Sequence, residues 1–405
     1  MDIHQHVYAI GLPGLRSEGR IEGMGGKAFN LVRMAAIGLP VPQAFILGTA
    51  LGRARSADPA GFRAPLRDLL EKQVERLEAA CGLEFGSGRK PLLVSVRAST
   101  ASALPTMMDT VLDVGLTDAT LRGLLRLTGN PRLAWDSYRR LIQQFAAVVH
   151  HASPEPFHAA LQLAMEHARV AHPSELDFRA LASLARSYLD VYERIIGQPF
   201  PQDPMEQLRL ACEAIFDAWM APRAVEHRRM QHIADDAGIA VTVQRMVFGN
   251  AGGTSGSGVG FTRNPATGEA HPCLAFRFNS QGEDEMAGLP PAADTTRLAT
   301  SLPHVHARLH SLGGLLEREF GDVQEYAFTV QDGVLYLLLT RSAKRSPWAA
   351  LRIAVEQVDA GVWSPATALE RLTGIDLGLA ARSSADPRTG AWLDKVATWS
   401  SRLQA

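Results

Sequence analysis

Val243–Pro265 reads VQRMVFGNAGGTSGSGVGFTRNP, and the fold turns on how this stretch is read. A short apolar run with β-branched residues (241–247) leads into a segment carrying Gly249, Gly252, Gly253, Gly256 and Gly258. The chain then returns through Val259, Gly260 and Phe261 towards Arg263. That order predicts strand, glycine loop, strand. Glycine lets backbone N–H groups come close to a ligand, and Thr254, Ser255 and Ser257 add hydroxyl donors, so the loop suits phosphate oxygens. Taken alone, the glycine content points rather to an ordinary hairpin with a floppy tip. The segment has neither the Gly-Lys-Ser/Thr ending of a Walker A loop nor a GxGxxG that opens a helix.

Composition narrows the setting. With 405 residues, 46% hydrophobic and 20% charged, the chain is long enough for two or three packed units and has the balance of a soluble globular protein. Forty-one basic against 42 acidic residues leave a net charge of -1, which gives no bulk attraction to nucleic acid or to an anionic membrane, so an anion site must be local. Cys81, Cys212 and Cys273 are too few and too scattered for a disulfide framework or a cysteine zinc site. No apolar run approaches the ~20 residues of a membrane span, and the N-terminus has no signal-like pattern, so a cytoplasmic protein is expected.

Upstream of the glycine stretch, Gly25 and Gly26 precede Lys27, and Ala28, Leu31, Met34 and Ala35 recur at helical spacing until Gly38 and Pro40. Lys27 thus falls near a helix N-terminus, where a cation is disfavoured unless an anion shares the site; a phosphate-binding lysine and a solvated surface lysine are both open. Residues 60–80 predict an amphipathic helix. Leu92–Val96 predicts a buried strand with Arg97 at its end, beside a small-residue loop through Ser99, Thr100 and Ser102 to Pro105, which suits a phosphate, a carboxylate or a structural ion pair. From Asp118 to about His232 the periodicity is helical, with breaks at 129–131, 153–154, 172–173 and 197–204. The basic run Arg223, His227, Arg228, Arg229 reads as a solvated face, with Arg223 the residue of interest.

Downstream, 274–278 predicts a strand, Asn279–Asp284 a polar turn and 305–320 a helix. Two strands follow within 323–346, joined by Gln331-Asp332-Gly333, an Asp-Gly hairpin signal. The tail from 347 to 405 begins as a helix and carries no chemistry of its own. Of His304, His306 and His310 only the last two share a helical face, and without a cysteine or a carboxylate pair nearby they read as a wet helix surface.

In fixed order the chain contains GGKAFNL, LLVSVR, PTMMDT, GNPR, DSYRR, VQRMVFGN, TSGSGVGFTRNPATGE, QGED and FTVQDGVLYLLLTR. It resembles the N-terminal nucleotide-binding region of pyruvate phosphate dikinase from about Val7 to Gln357. The resemblance implies an α+β protein of ATP-grasp fold in which two subdomains clamp ATP. The corresponding divisions are 1–117, a helical subdomain at 118–200, 201–346 with the phosphate loop, and a helical tail at 347–405. It assigns nucleotide contacts to Lys27, Arg97, Gln244, Gly256, Ser257, Gly258, Glu283, Glu325 and Arg341, with Arg97 and Arg341 the catalytic pair.

Departures from the family's pattern fall on the chemistry. Its last hairpin carries Asp-x-Glu on the first strand and Gln before Thr-Arg on the second, groups that hold Mg²⁺ and the transferring phosphates; here these positions are Glu325, Ala327 and Leu339. Alanine and leucine cannot ligate a hard cation, which makes Mg²⁺ doubtful and leaves Glu325 and Glu283 as the only metal candidates. The acid expected before QGED is Ala275, the Gly of Pro-Gly-Met-Met is Thr106, and the loop after Arg97 lacks a glycine and a basic residue. The family continues into a swivelling domain with a phosphorylated histidine, and this chain stops where that domain would start. The expected role is therefore an ATP-binding phosphotransferase (kinase) subunit that passes phosphoryl groups to a histidine on a separate partner protein. The alternative is an ATP-grasp pseudoenzyme acting as a nucleotide-binding regulatory or assembly module.

Overall fold

A computed structural model of the chain describes residues 3–14, 18–101, 110–281, 295–379, 386 and 388–404. It divides into two compact units, Met1–Val247 and Phe248–Ala405.

The first unit is built on an antiparallel sheet. Strands β1 (Val7–Ile10) and β2 (Ala44–Leu47) precede a short parallel pair, β3 (Glu84–Phe85) with β4 (Pro91–Leu92). Then come β5 (Val94–Ser99), β6 (Thr110–Val114) and β7 (Ala240–Arg245), and the main sheet runs β1-β2-β7-β5-β6. All four residues of β2 and the first five of β7 are buried, so these inner strands are covered on both faces; β2 reads as an unbroken apolar run, whereas β7 buries the polar Thr242 and Gln244 among its apolar residues. Helices α1 (Ile21–Ala36), α2 (Thr49–Ala57) and α3 (Arg63–Cys81) pack against them.

Between β6 and β7 the chain makes six helices, α4 (Asp118–Thr128), α5 (Pro131–His150), α6 (Glu155–Ala168), α7 (Phe178–Ile196), α8 (Pro204–Ala218) and α9 (Pro222–Met230). Their ends follow local chemistry. Gly129 closes α4 in the left-handed conformation, Asn130 accepts from Leu133 N–H with Pro131 in the first turn of α5, and Gly197 and Asp203 do the same work around α7 and α8. Gln207 on α8 is fully buried: its Oε1 accepts from Gly115 N–H and its Nε2 donates to the carbonyls of Leu116 and Pro201, which fixes α8 to the end of β6.

Two expectations change here. The division at 200/201 is displaced, because β7 lies in the middle of the first sheet, paired with β2 and β5, and the units part at Val247. In the basic run the consequential residue is Arg228, not the exposed Arg223. Arg228 is 1% exposed, stacks over Trp219 with its guanidinium carbon 4.1 Å from the ring centre, and pairs with Asp235 at 2.9 Å. A solvated face is what residue type alone suggests; the aromatic partner nine positions away is not visible in a charge run.

The second unit carries a four-stranded antiparallel sheet, β11-β10-β8-β9, from β8 (Gly256–Phe261), β9 (Cys273–Phe278), β10 (Gln324–Gln331) and β11 (Val334–Ser342). Asp332 and Gly333, at φ +51° and +78°, form the tight turn that the Asp-Gly pair predicts. Helices α10 (Thr295–Ser301) and α11 (Pro303–Phe320) contribute Leu298, Val305, Leu309, Leu312 and Leu316 to the core. The tail is integral to this unit. Helices α12 (Pro347–Asp359), α13 (Pro365–Leu372) and α14 (Thr389–Gln404) build a core around Trp348, Trp363 and Trp392 that also takes in Val323 and Ala343.

Candidate functional site

In the first unit, Gly25 interrupts α1 at φ +75°, so the regular helix starts at Gly26 and Lys27 lies in its first turn, exposed. A Cβ on Gly25 would overlap the Ser99 backbone, which makes glycine obligatory there. The new helix end is stitched to the end of β5. Gly26 N–H donates to Thr100 O at 2.9 Å, and Ala28 N–H donates to Ser99 Oγ at 3.1 Å, so Ser99 acts as a cap supplied from 71 residues away.

Arg97 is not at the end of its strand. It lies inside β5, half-buried, paired with Thr242 on β7 and Thr110 on β6. Two residues further along the same strand is the Ser99 cap, so Arg97 and Lys27 belong to one substructure, which their separation in sequence does not show. Gln244, in contrast, is 1% exposed in the central strand and donates from Nε2 to Pro42 O at 3.0 Å. Its side chain holds the segment entering β2.

In the second unit, Gly256, Ser257 and Gly258 are strand residues of β8 and not the phosphate loop expected of them. A Cβ at Gly256, Gly258 or Gly260 would collide with the ring of Phe276, Phe328 or Tyr326 respectively. These glycines exist to let three aromatic rings lie against the sheet. Ser257 faces the other way and is buried, donating to Ser280 O at 2.9 Å.

The loop proper is 248–255, tied at both ends. Phe248 N–H donates to Gln331 Oε1 and Gly249 N–H to Gln281 Oε1; Gly333 N–H donates to Thr254 O, Asp332 N–H to Ser255 Oγ and Asn279 N–H to Ser255 O. Space is left only at the tip, where a Cβ on Gly252 or Gly253 would meet nothing within 4 Å. The TRNPATGE segment after β8 is a lock onto the tail: Arg263 pairs with Glu317 and Glu356, Asn264 Oδ1 accepts from Ala266 and Thr267, and Glu269 pairs with Arg352 of α12.

The hairpin places the remaining candidates on one face. Glu325 stands opposite Arg341, and Ala327 opposite Leu339. Register continues inward, Ala327 to Val259 on β8 and Val259 to Ala275 on β9. Ala275, Val259, Ala327 and Leu339 thus form one apolar row across the entire sheet, and three of its four members are positions where the resemblance implies oxygen ligands. Beside it, Glu325 is clamped by Arg341, with Nε to Oε2 at 3.0 Å and Nη2 to Oε1 at 2.5 Å.

Mg²⁺ does not fit this donor set. It prefers an octahedron of oxygens, and the row offers methyl groups while the one carboxylate beside it is neutralised by a guanidinium. Among the described residues no group of three or more His, Cys, Asp or Glu could hold a metal ion. Glu283, Thr106 and Ser102 lie outside the described residues. The three cysteines are free thiols, and burial raises the pKa of each. No helix among the described residues is long and apolar enough to cross a membrane.

A buried carboxyl that the sequence did not single out is Asp113. It sits at a bulge of β6, where Leu112 and Asp113 together oppose Ser95, and its φ is +59°. Burial pushes its pKa up to about 7, against the hydrogen bond from Ser137 and the charge of Arg140. The neighbouring Asp136 stays below the ordinary carboxylate value, because Arg139, Arg140 and Arg132 outweigh the burial that would raise it.

The architecture is that of a mixed helix and sheet protein with an antiparallel sheet in each unit. The chain belongs to the pyruvate phosphate dikinase family, AMP/ATP-binding domain, whose model matches residues 53–288. It is 40% identical over 350 residues to pyruvate, phosphate dikinase of Clostridium symbiosum, covering 86% of this chain and 40% of that protein. Against the Rhizobium meliloti (strain 1021) protein of the same name the figures are 37% over 398 residues, 94% and 44%. With pyruvate, phosphate dikinase 1, chloroplastic, of Arabidopsis thaliana they are 40% over 362 residues, 88% and 37%. The chain spans about two fifths of the length of these relatives.

Proposed function

We propose that this chain is an adenine-nucleotide-binding module of the pyruvate phosphate dikinase type, of ATP-grasp architecture, that holds ATP with little help from Mg²⁺. Within the first unit Lys27 and Arg97 are the residues assigned to phosphate oxygens; within the second, taken by itself, Arg341 and the open backbone at Gly252 and Gly253 are the candidate donors. The observation that carries the metal-independent part is the in-register apolar row Ala275–Val259–Ala327–Leu339 beside a Glu325 already neutralised by Arg341. Phosphoryl transfer rests on positioning and on charge stabilisation of the transition state, so such a face makes transfer slow. Calorimetry with ATP in the presence and absence of Mg²⁺ tests the reading: saturable binding in both conditions supports it, and no binding at millimolar ATP in either removes it.

A second reading keeps catalysis: the chain passes phosphoryl groups from ATP to a histidine on a separate phosphocarrier protein. The retained Glu325–Arg341 pair favours it. Mixing the chain with labelled ATP and a phosphohistidine-domain protein distinguishes the two, since rapid Mg²⁺-dependent labelling of the partner requires the catalytic reading.

A further inference from the structure

Outside the proposed nucleotide site, helix α11 carries a pair of imidazoles held at a metal-chelating separation. Its inner face is apolar, through Val305, Leu309, Leu312 and Leu316. On its outer face His306 and His310 lie one turn apart, half-buried and exposed respectively, with their Nε2 atoms 3.2 Å apart and ring centres 4.4 Å apart. With metal–nitrogen bonds of about 2.0–2.1 Å, two imidazole nitrogens on one ion stand roughly 2.9 Å apart at a right angle and roughly 3.3 Å apart at a tetrahedral angle. The observed separation falls between the two.

We propose that His306 and His310 form a two-imidazole site for a borderline divalent transition metal, Cu²⁺ most strongly, then Ni²⁺ or Zn²⁺, with water completing the coordination sphere. Hard ions such as Mg²⁺ and Ca²⁺, which take oxygen ligands, are excluded. In the metal-free pair one Nε2–H donates to the other Nε2. Binding needs a lone pair on both Nε2 atoms, so the bridging proton moves to Nδ1 of its own ring through solvent.

Neighbouring groups set the character of the site. His304 is engaged elsewhere, its Nε2 2.9 Å from Gly333 O on the hairpin turn. With only two protein ligands and water for the rest, the site is exchangeable and not a permanent structural centre.

The test is calorimetric titration of the full chain at neutral pH with Cu²⁺ and with Zn²⁺, alongside His306→Gln, His310→Gln and the double variant. Because the chain has thirteen histidines, the comparison between proteins is decisive. The proposal expects one equivalent to disappear in the double variant and its affinity to fall at least tenfold in each single variant, since one ring alone forfeits the chelate. Zn²⁺ should raise the melting temperature of the unmodified chain and not that of the double variant, because an ion that binds only the folded helix stabilises it. Pulsed electron paramagnetic resonance should find two imidazole nitrogens on the bound Cu²⁺. Equal stoichiometry and affinity in the unmodified and double-variant proteins would overturn the proposal, as would a single imidazole on the copper.

Discussion

Arg341 holds Glu325 by both carboxylate oxygens across the β10–β11 register, and the pair is asymmetric: the arginine side chain is 56% exposed and the carboxylate 15%. Each partner satisfies the other, and a phosphate that recruits Arg341 competes with Glu325 for it. Glu325→Gln should therefore tighten nucleotide binding by removing the competitor, whereas Arg341→Ala should weaken it about tenfold or more, the scale of one charge-assisted hydrogen bond. Calorimetric ATP titrations of the two variants decide this. Equal affinities in both would mean that Arg341 does not meet the phosphates.

The cross-sheet row makes a prediction of opposite sense. Ala327→Glu with Leu339→Gln puts oxygen groups on two directly opposed positions of one sheet face, next to Glu325. ATP affinity should become dependent on Mg²⁺ in this double variant, and each single change should do less, because neighbouring ligands act as a set. A Mg²⁺ titration at fixed ATP reads the effect. An unchanged Mg²⁺ response in the double variant would show that the row is not where a metal would sit.

Much of this was legible in the sequence because the signals were local. The Asp332-Gly333 turn, the break at 129–131 and the helical periodicity that follows it need only their neighbours to be understood. What failed was long-range. Gly256 and Gly258 resemble a phosphate loop until Phe276 and Phe328 are brought over them from strands 20 and 70 residues away in the chain. Arg228 resembles a surface charge until Trp219 and Asp235 enclose it. The alignment of Ala275, Ala327 and Leu339 into one row required strand register, which residue types at scattered positions do not carry.

The tail's contribution to the second unit can be measured through Asp322. This carboxylate is 3% exposed and pairs with Arg345 at 2.8 Å and with Arg371 of α13 at 2.6 Å, while also accepting from Val323 N–H. Asp322→Ala leaves two guanidinium groups without their acid, and breaking a buried pair this way costs about 3–5 kcal/mol; the partial exposure of Arg371 places the loss near the lower end. Urea unfolding followed by tryptophan fluorescence should show an earlier transition, since Trp348, Trp363 and Trp392 lie in that core. An unshifted transition would show that the tail is held by its apolar contacts alone.

Asp113 gives the first unit a pH dependence of unusual sign. Its folded pKa, about 7, lies above the ordinary 3.8, so the folded state keeps a proton that the unfolded chain has already released. Stability is then greatest below pH 4 with respect to this group and falls as pH rises from about 4 through about 7. The fall is about 1.4 kcal/mol for each pH unit between the unfolded and folded values, about 4 kcal/mol at most. Asp136 acts in the opposite direction but in a different window, losing its contribution as pH falls below 4. Asp113→Asn keeps the shape, removes the titration and should flatten the decline between pH 4 and 7, leaving the variant more stable than the unmodified chain at pH 8. The left-handed backbone at this position, φ +59°, is one that asparagine tolerates as readily as aspartate, so the substitution adds no strain. Denaturant unfolding of both proteins at pH 5 and pH 8 reads the effect. A decline of equal size in the variant would assign the pH dependence to other groups and leave Asp113 ionised in its bulge, balanced by Arg140.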